Sequence, residues 1–129
     1  MDNMQRKLRV LAVDDDHGIR LLIADELTDA GCQVFTARDG QEAVSILEAE
    51  PVDLLITDNH MPRMNGLELI RWIRAHLPHV ATIMVTGDPS QTATTEAWAS
   101  GVHRILLKPF SREHLLLLIS ELRGQALAA

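Results

Sequence analysis

Short apolar runs alternate along the chain with longer segments whose apolar residues recur every three or four positions. The short runs end abruptly on polar residues. Val10-Leu11-Ala12-Val13 stops at Asp14-Asp15, Leu54-Leu55-Ile56-Thr57 at Asp58, and Ile105-Leu106-Leu107 at Lys108-Pro109. Runs that are apolar on both sides of the pleat predict strands buried on both faces of a parallel sheet. Strands are predicted over 8–13, 33–36, 52–57, 81–85 and 104–107.

Helices fill the intervals. The first is predicted over 17–30, with Ile19, Leu22, Ile23 and Leu27 on one face and Gly31 at its stop. The second starts at Asp39, with Glu42 three residues on, and carries Ala43, Val44, Ile46 and Leu47. The third opens at Asn65-Gly66, turns Leu67, Ile70, Ile73 and Leu77 inward, and ends at Pro78. The fourth begins near Asp88-Pro89 and stops before Gly101; the fifth runs from the cap Ser111 to about Arg123. Strict strand–helix alternation implies an α/β fold, a parallel sheet with helices on both faces and right-handed crossovers. At 129 residues the expectation is one domain over 1–129, with its core at about 8–123.

Composition removes several classes of function. The one cysteine, Cys32, excludes an internal disulfide and a thiolate cluster, and fits a buried apolar thiol in a reducing cytosol. No apolar run reaches the ~18 residues of a membrane span. Arg6 and Lys7 near the start precede no long apolar region, so a signal peptide is not expected. A net charge of −6 without a basic block disfavours direct nucleic-acid binding by this chain.

The candidate chemistry lies at the strand ends. In an open α/β sheet, ligands bind beyond the carboxyl ends of the strands. Asp14, Asp15, Asp58 and Lys108 are all placed there and are expected to share one pocket. Adjacent carboxylates repel, so ionising both requires a nearby cation. An oxygen-only donor set suits Mg²⁺. Asp16 is the expected cap of the first helix. A carboxylate held at Asp58 can attack phosphorus and form an acyl phosphate. Mg²⁺ bridging Asp15, Asp58 and the phosphoryl oxygens would neutralise a loose transition state. Lys108 is one of only two lysines and is costly in an apolar strand unless it pairs with Asp58 or its phosphate. Thr86, after Ile83-Met84-Val85, offers a hydroxyl to a phosphoryl oxygen.

Val13-Asp14-Asp15, Asp58 with Met61-Pro62 and Asn65-Gly66, Val85-Thr86-Gly87, and Lys108-Pro109-Phe110 resemble, in order and spacing, the receiver domain of bacterial two-component response regulators. The resemblance implies a flavodoxin-like (βα)₅ doubly wound sheet with strand order 2-1-3-4-5. It implies transfer of a phosphoryl group to Asp58 from a sensor histidine kinase or a histidine phosphotransfer protein. Mg²⁺ would be held by Asp15, Asp58 and the backbone carbonyl of His60, with Asp14 mostly through water. Thr86 and Lys108 match the family's switch hydroxyl and phosphate-pairing lysine, and a cis peptide is implied before Pro109. Catalysis would extend only to the chain's own phosphotransfer and autodephosphorylation. Asn65 and Gly87 stand where the family often has aspartate and alanine. Ile105 stands in the place of a switch aromatic, and the chain has no tyrosine. An aromatic flip at that position is therefore not expected as the readout.

Two other classes share parts of this pattern. An aspartyl-phosphate phosphatase also uses a strand-end aspartate, Mg²⁺ and a lysine, but wants an acid two residues after the nucleophile, where His60 stands. A flavin carrier would want a phosphate-binding loop after the first strand, where three aspartates stand instead. Within the receiver reading, an apolar patch is expected across the fourth helix, fifth strand and fifth helix, formed by Trp98, Ile105, Leu116 and Leu118. It would serve a homodimer or an effector. A stand-alone receiver, a relay intermediate and a piece of a longer regulator all remain open.

Overall fold

The computed structural model describes the backbone of residues 6–128 and the side chains of residues 6–124. The sequence readings that touch residues 1–5 and 129 fall outside the described residues. Ten elements alternate: β1 (Arg9–Val13), α1 (His17–Asp29), β2 (Gln33–Ala37), α2 (Gly40–Ala49), β3 (Leu54–Asp58), α3 (Gly66–His76), β4 (Ala81–Thr86), α4 (Gln91–Ala99), β5 (Arg104–Leu107) and α5 (Arg112–Ala128). The strands pair in parallel in the order β2-β1-β3-β4-β5, as the resemblance implied. The order reverses between β1 and β3, which opens a crevice at their carboxyl ends.

Two cores clamp the sheet. On one face Ile23 and Leu27 of α1 and Leu115, Leu118, Ile119 and Leu122 of α5 pack on Val10, Leu54, Ile56, Ile83 and Leu106. On the other, α2, α3 and α4 pack Ala43, Leu47, Leu69, Ile70, Ile73 and Ala97 against Leu11, Val13, Leu55 and Met84. β3 and β4 are buried along their whole length, which explains why both lack polar alternation. Cys32 is buried in the first core, as expected.

Local chemistry sets the helix starts. Asp16 accepts the Ile19 N–H at 3.1 Å and Asp39 the Glu42 N–H at 2.8 Å. Asn65 and Glu68 form a reciprocal capping box. The fourth helix departs from expectation. It begins at Gln91 with Ser90 as cap, because Asp88 instead accepts the Ser90 N–H at 2.9 Å in a turn ahead of it. The inner face of α1 also needs correction: Leu22 is 52% exposed, since Ile23 and Leu27 carry the burial and Leu22 sits a step around the helix. At the opposite end of the sheet, buried Asp53 takes paired hydrogen bonds from Arg6 and Arg9, which tie the chain's start to β3. Burial alone would raise the Asp53 carboxyl, but these arginine bonds outweigh it and hold it below its ordinary value.

Candidate functional site

The sheet register delivers the site. β1 ends at Val13, opposite Thr57, so Asp14 emerges beside Asp58, the last residue of β3. Asp58 faces Val85 across the β3–β4 pair, and Thr86 faces Leu107 across β4–β5. Asp14, Asp58, Thr86 and Lys108 therefore stand along one edge of four adjacent strands. The carboxylate oxygens of Asp14, Asp15 and Asp58 lie within 4.8 Å of one another. Lys108 Nζ donates to Asp58 Oδ1 at 3.2 Å and lies 3.9 Å from Asp14 Oδ2. These are the four groups expected to converge from the sequence.

Their surroundings differ. Asp14 and Asp58 are buried, whereas Asp15 is exposed and free to meet a ligand from solvent. Burial pushes the Asp14 carboxyl above its ordinary value. A hydrogen bond from the Asp16 N–H opposes this, the Asp58 charge adds to it, Lys108 opposes it and Asp15 adds to it. Arg20 of α1 braces the turn by donating to the Asp14 carbonyl at 2.7 Å. One ammonium among three carboxylates leaves an excess of negative charge around hard oxygen donors. That donor set fits a divalent cation, as the sequence resemblance implied.

Thr86 is buried, and its Oγ1 accepts the Asp88 N–H at 3.1 Å, so any move of the hydroxyl toward Asp58 must release that bond. The Lys108 N–H donates to the Thr86 carbonyl at 2.8 Å, which couples the two positions through the backbone. The Lys108–Pro109 peptide is cis. His60 is exposed in the loop after β3. A groove of about 410 Å³ opens beside Lys108, lined by Ile19, Leu22, Glu26, Pro109 and Phe110.

The proposed output patch is only partly present. Trp98 is 49% exposed, and Ile105 and Leu116 are half-buried. Leu118 is a core residue instead, because Leu115, Leu118, Ile119 and Leu122 form the stripe of α5 that packs on the sheet. Leu117, on the opposite side of that helix, is 57% exposed. Sequence reasoning missed Arg20 and Arg63, whose partners become visible only once the chain folds. Among the described residues, no helix is long and apolar enough to cross a membrane.

The comparisons agree with this geometry. The family model for the response regulator receiver domain matches residues 10–120. A probable chemotaxis protein CheY of Rhizobium etli is 31% identical over 125 residues, covering 95% of this chain and 97% of that protein. The transcriptional regulatory protein GlrR of Escherichia coli is 34% identical over 120 residues, which are 93% of this chain but 27% of that protein. The solved chemotaxis response regulator CheY4 of Vibrio cholerae superimposes with a TM-score of 0.84 at 35% identity, covering 90% of this chain and 98% of that one. With the acidic strand ends, the paired lysine and the 2-1-3-4-5 sheet all in place, the chain belongs to the response regulator receiver domain family of two-component signalling.

Proposed function

We propose that Asp58 is the phosphoacceptor and that the domain takes its phosphoryl group from a phosphohistidine, on a sensor histidine kinase or a histidine phosphotransfer protein. The observation that carries this is the placement of the buried Asp58 carboxylate 3.2 Å from Lys108 Nζ and within 4.8 Å of Asp14 and Asp15. An Asp58 oxygen attacks phosphorus as the phosphorus–nitrogen bond of the donor breaks, and the electron pair leaves with the imidazole. The product is an acyl phosphate on Asp58. Lys108 meets the charge that gathers on the phosphoryl oxygens, and the Thr86 hydroxyl supplies a donor once it leaves the Asp88 N–H.

The divalent ion is assigned as Mg²⁺; Asp15, Asp58 and the His60 main-chain carbonyl would hold it directly, and Asp14 mostly through water. When bound it supplies a charge clamp for the phosphoryl oxygens. The chain's catalysis extends to its own phosphorylation and the later hydrolysis of that phosphate. Water attacking the acyl phosphate returns free Asp58 and inorganic phosphate. The groove beside Lys108 is lined by Ile19 and the exposed Leu22 of α1, an apolar surface next to the acceptor on which the phosphodonor would dock. Trp98, Ile105, Leu116 and Leu117 form the surface proposed for a second copy or an effector. The protein is assigned to the cytoplasm, and its 1–129 span to a single receiver domain.

The test is phosphorylation by acetyl phosphate with and without Mg²⁺. Modification of the parent chain should require the metal, with an affinity on the order of 0.1–10 mM for a site that keeps several waters. Asp15→Ala should abolish it. Metal-independent labelling, or an Asp15→Ala protein that labels like the parent, contradicts the assignment.

A further inference from the structure

The loop of residues 59–65 joins Asp58 to α3, and its base is drawn tight. The Gly66 N–H donates to the Asn59 carbonyl at 3.0 Å and the Met64 N–H to the Pro62 carbonyl at 2.8 Å. A Cβ on Gly66 would stand 2.5 Å from the Asp58 carbonyl oxygen, so only glycine lets the chain return this closely beneath the acceptor. The loop's own bonds do not satisfy all of its polar groups, because Asn59 Oδ1 is buried without a partner.

The tip of the loop is held from a different element. Arg63 adopts φ 69°, the left-handed region that a side chain enters only when its surroundings over-determine it. Its Nε donates to Asp39 Oδ2 at 2.9 Å, and its Nη2 donates to the same oxygen. Asp39 is buried at the start of α2, where its other oxygen, Oδ1, caps the helix through the Glu42 N–H. One carboxylate thus serves the helix with one oxygen and the loop with the other. Next to it, a Cβ on Gly40 would lie 2.5 Å from Met64 Cβ, so the loop also rests directly on the helix start. The Glu42 N–H and then Arg63 hold the Asp39 carboxyl below its ordinary value, which keeps the clasp ionised at neutral pH. Arg38 lies further off, 4.0 Å from Asp39 and 3.3 Å from Glu42.

We infer that Arg63 is a positioning residue for the metal-dependent chemistry: its ion pair with Asp39 fixes the loop tip and so presents the His60 main-chain carbonyl, three residues earlier, to the cation. The start of α2 thereby becomes part of the scaffold of the metal site, although none of the proposed ligands lies on α2. This inference rests on the Mg²⁺ assignment made above.

The experiment is a Mg²⁺ titration followed by amide chemical shifts, on the parent chain and on Arg63→Asn, Asp39→Asn and Arg38→Ala. Asparagine tolerates the left-handed backbone at position 63 and still caps at position 39, so both variants remove the clasp while sparing the local backbone. Arg63→Asn and Asp39→Asn should each weaken the Mg²⁺ Kd by about tenfold, the scale at which supports behind metal ligands act. The double variant should be no weaker than either single one. Phosphorylation by acetyl phosphate should be slowed at limiting Mg²⁺ and recover at saturating Mg²⁺, while Arg38→Ala matches the parent. A parent-like Kd in Arg63→Asn and Asp39→Asn overturns the clasp, even if both variants melt at lower temperature. Failure of the parent itself to bind Mg²⁺ overturns the metal assignment and this inference with it.

Discussion

Asp14 carries the electrostatic cost of the site. Burial lifts its pKa first, and the charges of Asp58 and Asp15 lift it further, against the Asp16 N–H and Lys108. A folded pKa above the ordinary 3.8 means the folded state favours the proton more than the unfolded chain does. The metal-free fold is therefore penalised at neutral pH, and the penalty fades as pH falls through the raised Asp14 pKa toward 3.8. Asp39 and Asp53 act in the opposite sense. Their lowered values give stability that is present above 3.8 and lost as pH falls through their folded pKa values. Thermal melts of the metal-free protein should rise as pH falls through the raised Asp14 pKa, then fall in stronger acid. Asp14→Asn should raise the neutral midpoint and remove the rise; added Mg²⁺ should raise the midpoint of the parent. At this scale the sequence was legible where a residue broke a pattern, as Asp58 and Lys108 do at the ends of apolar runs. Arg63 broke no pattern, since its partner lies 24 positions away and an arginine in a loop is ordinarily a solvated charge.

At the scale of elements, strand positions and helix caps follow from local rules, and the sequence placed them within a few residues. The fifth helix shows where those rules stop. Leu115, Leu116, Leu117, Leu118 and Ile119 are consecutive, so hydrophobicity alone does not say which of them face the sheet. The stripe Leu115, Leu118, Ile119 and Leu122 decides it, and Leu118 moves from the expected patch into the core. Leu118→Ala should cost roughly 2–4 kcal/mol by leaving a cavity. Leu117→Ala should change stability by only about 0.5 kcal/mol or less, as exposed positions do. Chemical denaturation measures both. Similar losses for the two would contradict the packing. The late start of α4 has a similar origin: Asp88-Pro89 carries helix-start signals, yet the Asp88 carboxylate takes the Ser90 N–H and Ser90 takes the cap.

For the whole molecule, the sheet order brings three carboxylates and a lysine from separate segments to one edge, and family membership follows from that convergence together with the match over residues 10–120. Response should then spread from Thr86 and Lys108 toward β5, where Ile105 offers an aliphatic side chain in place of an aromatic one. Light scattering with and without beryllofluoride tests the surface around Trp98: the fluoride-bound chain should self-associate or bind an effector, and Trp98→Ala should weaken that response. A chain that remains monomeric and gains no partner in both states contradicts the surface assignment.

The central claim is that Asp58 accepts the phosphoryl group, and intact-mass analysis after incubation with acetyl phosphate and Mg²⁺ tests it most directly. The parent chain should gain a single phosphoryl group that is lost on alkaline treatment, as an acyl phosphate is, and Asp58→Asn should gain none. Equal labelling of Asp58→Asn would contradict the account.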